Sequence, residues 1–167
     1  MDQADRYRQL ALLGREAFLA TSAPGALVRK RGEDSGDRDV EGSGELEAET
    51  QVAQQVTRRR SPSSVEVYPL AKKPGASFPD MITVGRTGNN DVVLRDVTVS
   101  RLHAFFRRRD ERWVLADAGS KNGTAVDGEP LQPRRERELM SGTPVRIGDL
   151  ELTFYTAHDL FDVLGGK

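Results

Sequence analysis

The second half of the chain consists of short runs in which apolar and polar residues alternate. In the last of them, Leu150, Leu152 and Phe154 share one side of the run, with more polar neighbours between them. A period of two places such side chains on one face of a β-strand. Turn-forming Gly, Asp, Asn and Pro residues separate the runs, at 74–75, 88–90, 117–120, 127–128, 141–142 and 148–149. Many short strands at close, regular spacing predict an all-β sandwich.

The aromatic residues indicate where the packed domain lies. Tyr7 and Phe18 precede residue 60, and all the other aromatic side chains follow it. Because aromatic side chains bury large areas in a core, we expect the sandwich domain to span residues 64–156. Residues 157–167 are expected to form a short C-terminal helix or tail that ends at a Gly-Gly pair.

The N-terminal segment carries a helical pattern. Tyr7, Leu10 and Leu13 recur at a spacing of three within residues 1–20, which predicts one short helix. Gly14 weakens that helix by about 1 kcal/mol relative to Ala. A loosely docked helix is the plainer interpretation, and a partner-binding helix stays open.

Residues 21–63 have the composition of a disordered linker. Acidic residues with Gly and Ser between them fill 33–49, and a run of three arginines follows at 58–60. A segment with few apolar residues and blocks of like charge cannot offset the entropy lost on ordering. We therefore expect a disordered N-terminal tail ahead of the sandwich.

Composition excludes several classes of protein. The formal net charge of the 167 residues is -1, which gives no bulk attraction to nucleic acid or to an anionic membrane. There are no cysteines and only two histidines, His103 and His158, so thiolate metal sites and disulfides are excluded. No phosphate-binding Gly-Lys-Ser/Thr motif or catalytic triad is evident. We expect a cytoplasmic protein that is not an enzyme and that uses no metal or cofactor.

Three polar islands lie on turns between the predicted strands. They are Gly85-Arg86, Ser100-Arg101-Leu102-His103 and Asn122-Gly123-Thr124. A guanidinium forks to two phosphate oxygens and stays charged at any physiological pH. A hydroxyl can donate to a phosphate, and a side-chain amide can donate to and accept from a peptide backbone. The islands therefore favour a reader of phosphorylation over a catalyst.

In sequence order these islands resemble those of the forkhead-associated (FHA) domain, over about residues 64–155. The residues that carry the resemblance are Val84-Gly85-Arg86, Asn90 to Leu94, Val99 to Ala104, Trp113 to Asp117, Gly119 to Thr124 and Val145 to Gly148. The resemblance implies a β-sandwich of about eleven short antiparallel or mixed strands that binds phosphothreonine peptides. It also implies roles in signalling downstream of a serine/threonine kinase.

The resemblance assigns a role to each island residue. Arg86, Ser100 and Arg101 would contact the phosphate, and Asn122 would hydrogen-bond to the peptide backbone. The residues expected to support the loops are Gly85, His103 and Gly123. His103 would therefore brace the binding loops by hydrogen bonding instead of acting as a catalyst.

Other interpretations stay open at these positions. Arg86 could form an ordinary surface ion pair with Asp91 or Asp96. Ser100 could serve only its turn, and Arg101 could be a solvated surface residue. Each alternative leaves the predicted fold unchanged.

Lys121 departs from the family pattern, in which a small hydroxyl residue often precedes the asparagine. Its side chain could add a third cation to the phosphopeptide site, or the loop could contribute only its backbone amide. This departure keeps open a second hypothesis, a protein-interaction domain that has the fold but binds its partners without regard to phosphorylation.

Thr50 is a candidate regulatory phosphosite. It lies in the acidic sequence Glu-Ala-Glu-Thr-Gln within the predicted linker. If phosphorylated, it could bind the domain's own loops and block partners, as the resemblance suggests for some FHA proteins. An acidic solubilising linker is the alternative.

Overall fold

Two β-sheets face each other across an apolar core. The computed structural model describes residues 2–30, 65–75 and 78–166. The strands are β1 (Gly25–Lys30), β2 (Val65–Pro69), β3 (Ile82–Gly85), β4 (Val92–Val93), β5 (Ala104–Arg109), β6 (Arg112–Asp117), β7 (Thr124–Val126), β8 (Glu129–Pro130), β9 (Arg137–Leu139), β10 (Thr143–Ile147) and β11 (Leu150–Thr156). The first sheet has the order β2-β1-β11-β10-β7-β8, and the second has the order β4-β3-β5-β6-β9.

The core between the sheets is formed by the faces that the alternating pattern predicted. On β11, Leu150, Leu152 and Phe154 are buried while Glu151 is exposed. The Trp113 ring from the opposite sheet lies 5.5 Å from that of Phe154. The predicted all-β sandwich is therefore confirmed.

The predicted domain start at residue 64 is wrong, because Gly25–Lys30 forms a strand inside the first sheet. This segment, β1, pairs with β11 from Gly25↔Thr156 to Val28↔Thr153 and with β2 on its other side. Leu27 faces the core between the sheets, and its neighbours Ala26 and Val28 pack on the other side of the sheet. Because both faces are buried, β1 lacks the alternation that marks the other strands.

Three helices cover the outer face of the first sheet. They are α1 (Gln3–Leu12), α2 (Arg15–Thr21) and α3 (Ala157–Val163). Phe18 of α2 is fully buried, with its ring 5.8 Å from that of Tyr7 and 5.4 Å from that of Phe161. With Ala26, Val28 and Val67 of the sheet, these residues belong to a second apolar cluster, which we call the outer cluster.

The N-terminal segment thus differs from the predicted single helix in a disordered tail. The helical conformation is interrupted at Gly14, whose φ of 103° lies in the region that glycine tolerates. Two helices therefore form in place of one. Arg15, directly after the break, pairs with Asp162 of α3 at 2.7 Å and lies 4.6 Å above the Phe161 ring. The helices are therefore packed against the domain.

Residues 31–64 connect two paired strands, since Lys30 and Val65 are partners in the β1–β2 register. Residues 31–63 of the predicted linker, with the basic run and Thr50, lie outside the described residues, whereas residues 21–30 end α2 and form β1. The topology makes this segment an insertion between β1 and β2, whereas the sequence suggested a tail ahead of the domain.

Candidate functional site

Three loops meet at one end of the sandwich, and they carry all the predicted ligand-binding residues. They are the β3–β4 loop (86–91), the β4–β5 loop (94–103) and the β6–β7 loop (118–123). The Arg86 N–H donates to the Ser100 carbonyl at 3.0 Å, and the Lys121 N–H donates to the Ser100 hydroxyl at 3.1 Å. The structure therefore brings the islands together around Ser100.

Gly85 allows the first two loops to approach each other. A Cβ at this buried position would lie 2.0 Å from the Arg101 carbonyl oxygen and 2.6 Å from Asn90 Nδ2. No side chain fits there without moving the backbone, so the approach requires glycine. Arg86, the next residue, is thereby placed beside Ser100 and Arg101.

The Arg86 side chain is exposed, and no carboxylate pairs with it in the part of the chain that the structure describes. Neither ion pair considered from the sequence forms. Asp91 binds Lys72 at 2.7 Å, and Asp96 accepts from the Thr98 hydroxyl at 2.6 Å. The guanidinium is thus available to an anion.

His103 joins two of the loops. Its ring is fully buried, Nδ1 accepts the Ser100 N–H at 3.0 Å, and Nε2 lies 2.8 Å from the Gly123 carbonyl. An acceptor at Nδ1 and a donor at Nε2 define the neutral tautomer protonated at Nε2. The position is that of the loop brace expected from the sequence, and the histidine has no exposed nitrogen for catalysis.

Ser100 retains a hydroxyl proton for a ligand. Its oxygen accepts the Lys121 N–H, while its own O–H has no acceptor among the described residues. The Lys121 side chain is exposed. The backbone amide of Lys121 therefore orients the Ser100 hydroxyl, and the Lys121 ammonium group is left to solvent or to a ligand.

The Asn122 side chain is anchored by one half of its amide. Nδ2 donates to the Thr98 carbonyl at 2.8 Å, and the residue is exposed. Its Oδ1 has no partner in the described ranges, which leaves an acceptor for the backbone N–H of an extended peptide. Thr98 is held in turn by its hydroxyl, which accepts the Asp149 N–H at 2.9 Å.

Two buried polar residues that support these loops were not identified as supports from the sequence. Asn90 Nδ2 donates to the carbonyls of Arg101, at 2.6 Å, and Thr87, at 2.9 Å. Asp117 accepts the Ser120 N–H at 2.9 Å and the Thr124 hydroxyl at 2.7 Å. The sequence did indicate a turn at residues 117–120, and an Asp that accepts hydrogen bonds from its own turn is a known turn pattern.

The environments of two buried aspartates keep them ionised. Burial alone would raise the pKa of Asp117, but hydrogen bonds from Ser120, Thr124 and Gly119 outweigh it and lower that pKa. Burial also acts to raise the pKa of Asp91, but the hydrogen bonds to its carboxylate and the charge of Lys72 outweigh burial, so this pKa is lowered as well. Both carboxylates can thus accept several hydrogen bonds in the supports of the loops.

The sequence model of the FHA domain family, described as "FHA domain", matches residues 82–148. This range contains the three loops and the predicted phosphopeptide-binding residues that they carry. The chain contains an FHA domain. The FHA match begins at β3, so β1, β2 and the helices that cover them lie outside it.

The chain is similar to named bacterial proteins over part of its length. An oxoglutarate dehydrogenase inhibitor of Corynebacterium diphtheriae is 49% identical over 72 residues, which are 43% of this chain and 48% of that protein. The glycogen accumulation regulator GarA of Mycobacterium tuberculosis is 42% identical over 74 residues, 44% of each protein. The chain spans about half the length of the curated relatives that it matches.

One solved structure with a similar fold is Mycobacterium tuberculosis EmbR in complex with a low affinity phosphopeptide. The similarity covers 55% of this chain and 22% of that chain, with 32% identity and a TM-score of 0.47.

In the described parts of this chain, no helix is long and apolar enough to cross a membrane. The same residues contain no cluster of side chains suited to a metal ion.

Proposed function

We propose that the FHA domain binds phosphothreonine segments of partner proteins, with Arg86, Ser100 and Arg101 on the phosphate and Asn122 on the peptide backbone. One observation carries the proposal. Ser100 bonds to both neighbouring loops, so three groups lie at one end of the sandwich: a guanidinium and a hydroxyl proton that have no partner among the described residues, and an amide oxygen. Lys121 adds a further exposed cation beside them.

The phosphate contacts supply most of the binding free energy. Each hydrogen bond to a charged group contributes about 1.5–3 kcal/mol. The methyl group that distinguishes phosphothreonine from phosphoserine contributes about 0.8 kcal/mol when buried. A preference for phosphothreonine therefore also needs the restricted rotamers of its β-branched side chain.

The chain acts, in this proposal, as a non-enzymatic adaptor or regulator in cytoplasmic serine/threonine-kinase signalling. Two similar proteins are named as an inhibitor of oxoglutarate dehydrogenase and as a regulator of glycogen accumulation. Both names describe control of other proteins or processes, which fits a phosphopeptide reader. Its partners would be phosphothreonine proteins, with a kinase upstream, and neither nucleic acid nor a membrane.

A phosphopeptide library titrated against the full chain tests the proposal. We expect binding that phosphatase treatment of the peptides abolishes and that Arg86→Ala weakens at least ten-fold. Arg112→Ala, at an exposed arginine of β6 outside the three loops, is the matched control. Binding that ignores the phosphate would instead support the phosphorylation-independent interaction domain.

We further propose that phosphorylated Thr50 competes for the same site from within the chain. β11 begins directly after the 148–149 turn, whose Asp149 N–H binds Thr98 beside Asn122. Because β1 is antiparallel to β11, Lys30 and its partner Val65 lie toward this same end. The segment that contains Thr50 therefore leaves and returns at the end that carries the binding loops.

Chain length permits this contact. Val65 follows Thr50 by fifteen positions, and at about 3.3–3.6 Å per residue this length of chain can span roughly 50 Å. NMR shifts of the Arg86 and Ser100 loops, compared with and without phosphorylation of Thr50, test the idea. Shifts at these loops that Thr50→Ala prevents are expected, and unchanged shifts would rule out self-binding.

A further inference from the structure

A groove crosses the outer face of the second sheet beside the binding loops. Its volume is about 360 Å³. Residues that line it include Phe78, Met81, Leu102, Phe105, Arg107 and Arg134. We call it the Leu102 groove.

The groove begins at the loops that form the candidate phosphopeptide site. Leu102 directly follows Arg101, and Ala118, which also lines the groove, donates its N–H to the His103 carbonyl at 2.9 Å. From there the groove follows β5 toward Arg107. A peptide held at Arg86 and Ser100 can therefore continue into it.

Several of the side chains that line the groove are apolar and accessible. Phe78 is 46% exposed and Leu102 is 43% exposed, and Phe105 and Met81 are half-buried. The three helices pack against β1 and β2 of the first sheet, and no described element covers this part of the second sheet. Adjacent exposed apolar side chains beside a polar site are typical of an interaction surface.

The cations of the groove differ in their pairing. Arg107 is neutralised by Glu136 at 2.6 Å and by Asp80 at 3.7 Å. Arg134, near the loop end, has no carboxylate partner within the described ranges. Its backbone is fixed by a 2.7 Å bond from its N–H to the Asp117 carbonyl and has a φ of 63°. The loop end of the groove is therefore positive and matches an acidic side chain.

We propose that the Leu102 groove binds one flank of the phosphorylated segment, and that this flank carries a large apolar side chain with acidic neighbours. The inference rests on the proposed phosphothreonine binding. Residues 102–107 span about 17 Å at about 3.3 Å per residue, so the groove holds about five extended residues. The apolar side chain packs on Phe78 and Phe105, and a carboxylate pairs with Arg134.

Three synthetic peptides test the proposal by fluorescence anisotropy with the full chain. The first has phosphothreonine among Ala, Gly and Ser only. The second adds one Leu and two Glu three to five residues before the phosphothreonine, and the third adds them after it. We expect one of the two to bind about ten-fold more tightly than the first, since a buried large side chain and an added ion pair supply that factor.

Variants of groove residues test whether the added affinity arises in the groove. Phe78→Ser and Arg134→Gln should remove it and leave the affinity for the first peptide within about two-fold. Arg112→Gln, at an exposed arginine outside the groove, should keep it. Equal binding of all three peptides by the unaltered chain, or a gain that survives both groove variants, would overturn the inference.

The same measurements separate this inference from the proposed function. If Arg86→Ala binds the first peptide as tightly as the unaltered chain, phosphate recognition by this site fails. If Arg86→Ala loses that binding but neither flank adds affinity, only the groove proposal fails. A doubled mass in light scattering that Phe78→Ser abolishes would instead assign the groove to a second copy of the chain.

Discussion

The imidazole of His103 donates a 2.8 Å hydrogen bond from Nε2 to the carbonyl of Gly123. The two residues belong to different loops, and the other ring nitrogen accepts the Ser100 N–H. One buried side chain therefore fixes the distance between the phosphate-side loop and the peptide-side loop. The arrangement makes His103 a positioning residue for the proposed site.

Replacement of His103 by Ala should weaken both folding and binding. The Ser100 N–H and the Gly123 carbonyl would each lose a partner, and each loss costs about 1–3 kcal/mol. We expect the free energy of unfolding to fall by about 2–4 kcal/mol, measured by urea denaturation, and phosphopeptide affinity to fall with it. His158→Ala removes the other, exposed histidine and should change stability by less than about 0.5 kcal/mol.

Gly85→Ala should displace the β4–β5 loop. The added Cβ would lie 2.0 Å from the Arg101 carbonyl, and forced overpacking of this kind costs about 1–3 kcal/mol or more. Gly88→Ala is the matched control, because a Cβ there meets nothing within 4 Å. NMR shifts of Ser100 and Arg101 should move in the first variant only. Similar shifts in both variants would contradict the requirement for glycine at 85.

Acid should destabilise the protein through Asp91 and Asp117. Hydrogen bonds to both carboxylates outweigh burial and lower their pKa values in the folded state. A lowered folded pKa gives stability that is complete above the unfolded pKa of about 3.9 and is lost as the pH falls toward the folded value. Urea denaturation from pH 7 to pH 3 should show this loss.

The pH dependence should decrease in Asp91→Asn, which has no carboxylate at that position to protonate. That variant should also be less stable at pH 7, since the Lys72 ammonium loses its 2.7 Å partner. Asp110→Asn, at an exposed residue, should keep the acid sensitivity of the unaltered chain. Equal acid sensitivity in the Asp91 and Asp110 variants would contradict the role assigned to Asp91.

Removal of residues 1–63 should abolish folding, whereas removal of 31–64 alone should not. The first deletion takes away β1, which pairs with both β2 and β11. The second can be closed by an Asn-Gly turn, because Lys30 and Val65 are already paired and this turn suits a two-residue hairpin. Amide-proton dispersion in NMR spectra distinguishes the two results. A well-dispersed spectrum from residues 64–167 would contradict the position of β1.

The outer cluster should contribute measurably to stability. Phe18 is fully buried between Tyr7 and Phe161, and Phe→Ala in such a site costs about 3–5 kcal/mol. Leu12→Ala, at a residue that is 85% exposed, should cost less than about 0.5 kcal/mol. Thermal unfolding followed by circular dichroism compares them. Equal midpoints would mean that α1 and α2 are not packed as described.

The sequence was informative wherever one face of an element is buried and the other is not. Alternation identified β10 and β11, and turn residues separated the strands. The same reasoning failed at β1, where the outer cluster covers the face that would otherwise be polar. A local sequence pattern cannot reveal such burial, because the burial depends on helices from both ends of the chain.

Sequence by itself determined the all-β class and the residue types available to a phosphate and a peptide. The chemistry of each residue is a property of its own side chain, and the order of the residues is read directly from the sequence. Tertiary structure decided how those residues meet, because their relative positions depend on long-range contacts. It set Gly85 against the Arg101 carbonyl, His103 between two loops and Asn90 and Asp117 beneath them. It also decided that residues 31–64 join two paired strands at the end with the binding loops, since strand register is fixed only when the sheet forms.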